Sequence, residues 1–177
     1  MYRLFVGIDP PDAVKDQLLD LMGGVAGARW QTEAQLHLTL RFIGEVDRHQ
    51  ANDIAAALES LRHPRIELQL AGAGAFDRRG RVSALWAGVA PHEPVYALHK
   101  KVEQAIVRAG LPAEHRAYHP HITLARFGRD AGALNGFIDR HGGLASPPFE
   151  VDGFCLYESQ LTREGSIYTI VERYPLG

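Results

Sequence analysis

A chain of 177 residues, 46% hydrophobic and 23% charged, has the composition of an ordinary globular domain, which excludes a disordered chain. Its formal net charge of −2 excludes the strongly basic face of a protein that grips long nucleic acid non-specifically, though not recognition of one phosphate or one RNA end. No apolar run approaches the ~20 residues of a membrane span, and the opening Met1–Pro10 stretch is interrupted too soon for a signal peptide, so a reducing cytoplasm is expected.

Tyr2–Asp9 reads as a strand closed by Pro10-Pro11. Residues Asp12 to Met22 place Val14, Leu18, Leu19 and Met22 at helical spacing, and Gly23-Gly24 ends them. Ala28–Gln31 is a short strand candidate, and Leu36–Ile43 alternates with a period of two before stopping at Gly44. A helix is expected over Asp53 to Leu61, beginning near Gln50. Strands are expected at Ile66–Leu70 and Val82–Val89, joined by a loop containing Arg78-Arg79-Gly80. Tyr96–Ala109 is a long amphipathic helix ended by Gly110 and Pro112. Then come a strand at His121–Phe127, a helix near Leu134–His141, and strands at Phe149–Glu158 and Ile167–Tyr174. The sole cysteine, Cys155, lies in one of these strands, cannot form an internal disulfide, and is expected to be a small buried hydrophobe.

The informative feature is His-x-Thr-Leu occurring twice, at His37-Leu38-Thr39-Leu40 and His121-Ile122-Thr123-Leu124. The two copies stand 84 residues apart, and the same offset sets Gly44 over Gly128. Strand, helix, strand, strand follows the motif in both halves, which reads as a degenerate internal duplication sharing one core across residues 1–177.

Side chains i and i+2 of a strand leave the same face. His37 therefore looks out with Thr39, and His121 with Thr123, while Leu38, Leu40, Ile122 and Leu124 face the opposite layer. Water attack on a cyclic phosphodiester needs one group to take a proton from water and another to protonate the departing oxygen. Histidine, with an unperturbed pKa near ~6.5, serves either role at neutral pH. The Thr39 and Thr123 hydroxyls stand where charge grows on the non-bridging phosphate oxygens. No metal or cofactor is required. The bland reading, polar strand residues that merely face water, is set against this one. It does not account for the same motif at equivalent places in a repeat.

At these residues the chain resembles the 2H phosphoesterase superfamily, and within it the RNA 2′,3′-cyclic phosphodiesterases formerly called bacterial 2′-5′ RNA ligases. The contexts Leu36–Glu45 and His119–Arg126 and the opening strand Arg3–Ile8 carry the likeness. The resemblance implies an α+β, LigT-like fold of two similar lobes, each an antiparallel sheet with outer helices, around a central cleft. It implies hydrolysis of 2′,3′-cyclic phosphate ends of RNA, tRNA fragments among them, with 2′-5′ joining as the reverse. It implies His37 as proton donor, His121 as proton acceptor and Arg126 as a phosphate contact. Strand parity turns Arg126 away from His121 unless a bulge intervenes, whereas Arg41 shares parity with His37 and is a second candidate.

Phe42, Tyr118, Trp30 and Trp86 are candidates to stack a base, though each alone is more often core. Arg78, Arg79 and Arg81 read either as a phosphate-steering loop or as a solvated charged turn. His119-Pro120-His121 invites a metal reading, but no Cys, Asp or Glu sits at supporting spacing. Two other functions remain open at this point. One is a phosphodiesterase for a small cyclic nucleotide such as ADP-ribose 1″,2″-cyclic phosphate, and the other is a nucleotide-binding module without turnover; a monomer is expected in each case.

Overall fold

The computed structural model describes residues 1–129 and 131–177. Its elements run β1 (Tyr2–Ile8), α1 (Asp12–Asp20), β2 (Ala28–Trp30), β3 (Leu38–Val46), α2 (Arg48–Glu59), β4 (Ile66–Arg78), β5 (Arg81–Ala90), α3 (His92–Arg108), β6 (His121–Phe127), α4 (Asn135–His141), β7 (Phe149–Val151), β8 (Gly153–Thr162) and β9 (Gly165–Pro175). Among the described residues this makes an α+β fold with four helices and a nine-stranded antiparallel sheet.

Sheet order explains the arrangement. The strands stand β7-β4-β5-β6-β3-β1-β8-β9, so the two motif strands, β3 and β6, meet at the centre. They pair only at Leu38↔Ile122 and then part, and β2 takes up the edge of β6 from Ala125 to Phe127. Shifting the first half by 84 residues lays β1 over β5, α1 over α3, β3 over β6, α2 over α4 and β4 over β8. Yet β4 pairs with β5, and β8 pairs with β1. Each repeat therefore hands its last strand to the other half of the sheet.

The helices cover one face. Val14 and Leu18 of α1, Ile54 and Leu58 of α2, Val95, Leu98, Val102, Ala105 and Ile106 of α3, and Phe137 of α4 are all buried. They join Leu38, Leu40, Ile122 and Leu124 in one continuous apolar cluster. Burying each large aliphatic side chain contributes about 1.5–3 kcal/mol, which is why amphipathic spacing decides these helices. α2 also opens on a capping box, in which Asp47 accepts from the Gln50 backbone N–H while the Gln50 side chain accepts from the Asp47 N–H. The opposite face carries a small cluster of Phe5, Cys155 and Tyr157. Cys155 is buried there as expected, and burial raises its thiol pKa.

Two expected boundaries are corrected. The strand expected at Phe149–Glu158 is divided between β7, which pairs with β4, and β8, which pairs with β1 and β9. β4 does not stop at Leu70 but runs on to Arg78, and the joining loop shrinks to the hairpin turn Arg79-Gly80. Both turn residues have positive φ, 54° and 75°, as a tight two-residue hairpin requires. The Ala71–Ala75 segment lacks strand-forming side chains, so propensity hides it. It is a strand because Gly74 lies directly opposite and beneath the Trp86 ring, where any Cβ would collide.

Candidate active site

The register around β3 and β6 decides which side chains share the open face. Along β1, Val6 faces Arg41 and Gly7 faces Thr39, so β3 carries one extra residue, Leu40. Along β5, Leu85 faces Ala125 and Trp86 faces Thr123, so β6 carries one extra residue, Leu124. The two bulges fall at equivalent places in the repeat. A bulge reverses parity. After it, Phe42 returns to the face of Thr39, and Arg126 returns to the face of Thr123. The parity objection to Arg126 is removed.

The same bulge corrects the expectation for Arg41. It lands on the core side, opposite buried Val6, and its side chain is only 7% exposed. Its guanidinium is held by Glu103 on α3 at 2.5 Å and donates to the carbonyls of Phe42 and Pro112, both at 2.6 Å. Arg41 thus does not share the face of His37 and Thr39, although it contributes to the lining of the cavity beside Thr39 and His121.

Two histidines are pinned alike. His37 Nδ1 lies 2.7 Å from the Gln35 carbonyl, and His121 Nδ1 lies 2.6 Å from the His119 carbonyl. A carbonyl only accepts, so each Nδ1 carries the proton and each Nε2 is the lone-pair nitrogen of the neutral ring. His37 Nε2 stands 2.9 Å from the Thr39 hydroxyl, which donates to it in that tautomer. Continuing the antiparallel register from Leu38↔Ile122 sets His37 across from Thr123 and Thr39 across from His121. Each imidazole therefore has one threonine on its own strand and one on the strand opposite.

Packing orients the rings. His37 lies against Phe5 at 4.7 Å between centroids, with the Tyr168 ring edge-on at 5.2 Å and Tyr157 at 5.8 Å. Gly7 lies beneath it, since a Cβ there would meet the Leu38 carbonyl at 2.9 Å and the His37 ring at 3.5 Å. His121 is met edge-on by Phe76 at 4.8 Å, with His119 beside it at 5.9 Å. Enclosure among aromatic rings withdraws water from the charged form. Burial thus lowers the His37 pKa from 6.5 to about 4, and the positive charges of Arg126 and His121 push the same way. His121 is also lowered, chiefly by burial, with His119 and Arg126 adding to it. The Arg126 charge is therefore felt at both rings.

A cavity of about 610 Å³ opens beside this pair, lined in part by Thr39, Phe42, Phe76, His99, Tyr118 and His121. That volume is in the range of small-molecule sites. Phe42 is 41% exposed at its rim, with Arg3 over its ring at 5.2 Å. Among the other base-stacking candidates, Trp30 packs on Phe137 and Trp86 on Phe76 and His119, while Tyr118 faces the cavity. Among the described residues, no three His, Cys, Asp or Glu side chains gather as a metal site would require. No helix among them is long and apolar enough to cross a membrane.

Sequence reasoning missed His99, and it missed the backbone contact made by Tyr118, which it offered only as a base-stacking candidate. The bulge at Leu40 turns carbonyls out of the ladder, and the structure satisfies them from α3 and the segment after it. The Tyr118 hydroxyl donates to the Thr39 carbonyl at 2.7 Å, and His99 Nδ1–H donates to the Leu40 carbonyl at 2.7 Å. The two rings stack at 3.8 Å, only 3° from parallel. His99 lacks a threonine at i+2, so the pattern that singled out the motif histidines passes over it.

The chain is similar to known proteins in both sequence and fold. The profile of the 2′-5′ RNA ligase superfamily matches residues 10–163. A protein of Aeropyrum pernix named RNA 2′,3′-cyclic phosphodiesterase is 36% identical over 139 residues, covering 77% of this chain and 79% of the relative. One of the same name from Thermotoga maritima is 32% identical over 177 residues, covering 96% and 92%. The crystal structure of E. coli LigT complexed with 3′-AMP superposes with a TM-score of 0.77 at 26% identity, covering 99% of this chain and 98% of that one. The chain belongs to the 2′-5′ RNA ligase superfamily.

Proposed function

We propose that the protein hydrolyses 2′,3′-cyclic phosphate ends of RNA to 2′-phosphomonoesters without a metal or cofactor. The observation that supports this most is the matched pair of imidazoles, each pinned through Nδ1–H to the carbonyl two residues earlier. Such pinning leaves each Nε2 as the nitrogen that gains or loses a proton.

In this reading His121 Nε2 takes a proton from water as its oxygen bonds to phosphorus. His37 Nε2 gives a proton to the 3′ oxygen as the P–O3′ bond breaks. The 2′ oxygen keeps the phosphate, and exchange with solvent resets both rings. The Thr39 and Thr123 hydroxyls and the Arg126 guanidinium hold the non-bridging oxygens as charge grows there. Burial keeps His37 neutral in the free protein, so the donor role requires a partner that favours its charged form. The phosphodiester anion is that partner, because a negative charge beside an imidazole raises its pKa. Arg41, committed to Glu103 and two carbonyls, supports β3 in this scheme rather than gripping phosphate. Phe42 and Tyr118 offer the terminal base an aromatic wall. The names of the relatives and the nucleotide bound to LigT support a substrate of this class. The setting proposed is a monomer in the cytoplasm acting on RNA ends, tRNA fragments included, with 2′-5′ joining as the reverse of the same step.

The test is direct. In EDTA the purified protein is expected to convert a nucleoside 2′,3′-cyclic phosphate to the 2′-phosphate, followed by phosphorus NMR. His37→Ala and His121→Ala are each expected to lose at least about 10²-fold in kcat. Undiminished turnover in either variant, or a requirement for metal, overturns the mechanism.

A further inference from the structure

The internal repeat supplies a built-in comparison of the two hairpins that flank the site. The β4–β5 tip reads Arg78-Arg79-Gly80-Arg81, and 84 residues on the β8–β9 tip reads Thr162-Arg163-Glu164-Gly165. Arg126 likewise corresponds to Phe42, and Arg129 to Glu45. Turn formation does not require Arg78 or Arg81, because the equivalent hairpin forms with Thr162 and Gly165 in their places. Three arginines thus stand at one tip and one at the other, in a chain whose net charge is −2.

These arginines form a group. Arg78, Arg79, Arg81 and Arg129 line a cavity of about 530 Å³ together with Ser83 and Phe127. On β5, Ala84 stands opposite Arg126, three residues from Arg81, or roughly 10 Å along the strand. On the other edge of β6, Arg29 of β2 stands directly opposite Arg126. Like charges placed directly opposite on a sheet are destabilising unless an anion lies between them. Some surface arginines find carboxylates, as Arg65 does in Glu150 and Arg116 in Glu114, whereas among the described residues others, such as Arg48 and Arg163, do not. Among the described residues none of these six arginines makes an ion pair or a side-chain hydrogen bond.

We infer that the β4–β5 tip and its neighbouring arginines bind the backbone phosphates of the strand leading to the cyclic end, so that the protein selects an oligoribonucleotide over a mononucleotide. The inference rests on the proposed phosphodiesterase activity for its substrate and adds the direction in which the strand leaves. From the cleavage centre the chain runs past Arg126 toward the β4–β5 tip, not toward the β8–β9 tip. Guanidiniums in a partly enclosed pocket recognise phosphate oxygens in pairs, which a mobile lysine does not.

The test compares wild type, the triple variant Arg78→Gln/Arg79→Gln/Arg81→Gln, and Arg163→Gln at the equivalent tip. Each is assayed on a short oligoribonucleotide ending in a 2′,3′-cyclic phosphate and on a nucleoside 2′,3′-cyclic phosphate. The triple variant is expected to lose at least tenfold in kcat/KM on the oligonucleotide, through KM, while mononucleotide turnover is retained. The slope of log kcat/KM against log salt should flatten by about 0.7 for each phosphate that is no longer neutralised. Arg163→Gln should match wild type on both substrates. An unchanged oligonucleotide KM and salt slope in the triple variant, or an equal loss in Arg163→Gln, overturns the inference. Should wild type turn over neither substrate, the proposed activity fails, and fluorescence anisotropy with a labelled oligoribonucleotide still decides. Weaker binding by the triple variant alone supports the phosphate track, and equal binding by all three proteins refutes it.

Discussion

At the scale of single residues, the two motif histidines are alike in their Nδ1 anchors and unlike in their surroundings. Phe5, Tyr157 and Tyr168 enclose His37, whereas His121 has one face toward the cavity. Desolvation lowers both pKa values, His37 to about 4, so the reactive combination of a protonated His37 and a neutral His121 is scarce before substrate arrives. The sign follows. kcat/KM reports the free protein, and its alkaline limb is expected below the ordinary histidine range, since burial lowers both pKa values. kcat reports the complex, in which the phosphate anion raises both pKa values, so its alkaline limb should lie at higher pH. Coincident limbs in the two profiles would remove the phosphate's part in charging His37. The threonines make a separate prediction. Thr39→Val and Thr123→Val keep side-chain shape and remove one donor each, so each is expected to lower kcat about 10²-fold with little change in KM. A KM effect alone in steady-state kinetics would reassign them to ground-state binding.

At the scale of elements, the bulges matter more than the strands. An ideal β3 and β6 would show water Arg41 and hide Phe42 and Arg126. One extra residue at Leu40 and one at Leu124 reverse this. A bulge leaves backbone groups outside the ladder, and those of β3 are satisfied by Tyr118 and His99. Tyr118→Phe is therefore expected to destabilise the protein by about 1–3 kcal/mol through an unsatisfied Thr39 carbonyl, measured by urea unfolding. It should also lower kcat, because Thr39 then loses its backbone anchor. An unchanged unfolding midpoint would show that the carbonyl finds another donor. Most element positions were legible beforehand, since hydrophobic period and Gly or Pro stops mark them, and β6 has the bounds its alternation predicts. The bulges were not. A single inserted residue leaves no trace in a period-two pattern this short, and only pairing with β1 and β5 reveals it. The extension of β4 through Ala71–Ala75 was illegible for a related reason. Gly74 within it is required by the Trp86 ring across the sheet and not by any local preference.

At the scale of the molecule, duplication does not mean two separable halves. Because β4 sits beside β5 and β8 beside β1, each repeat completes the other's sheet. The cluster of Phe5, Cys155 and Tyr157 that backs His37 draws on both ends of the chain. A fragment of residues 1–90 keeps the first motif but lacks β8 and β6, one of the two strands that β1 and β5 each pair with. It is expected to show no cooperative unfolding alone, and mixing it with residues 91–177 should restore a transition seen by circular dichroism. Independent folding of the first fragment would contradict the exchanged-strand arrangement. Two His-x-Thr motifs on matching strands, the α+β class and the family were all readable from the chain, because they depend on residue identity, spacing and local period. The face that Arg41, Phe42 and Arg126 present, the burial that lowers the His37 pKa, and the meeting of Arg129 with the arginines of the β4–β5 tip were decided only by tertiary structure. Register, desolvation and the meeting of distant charges are properties of strands in contact, and a sequence lists its residues without saying which of them touch.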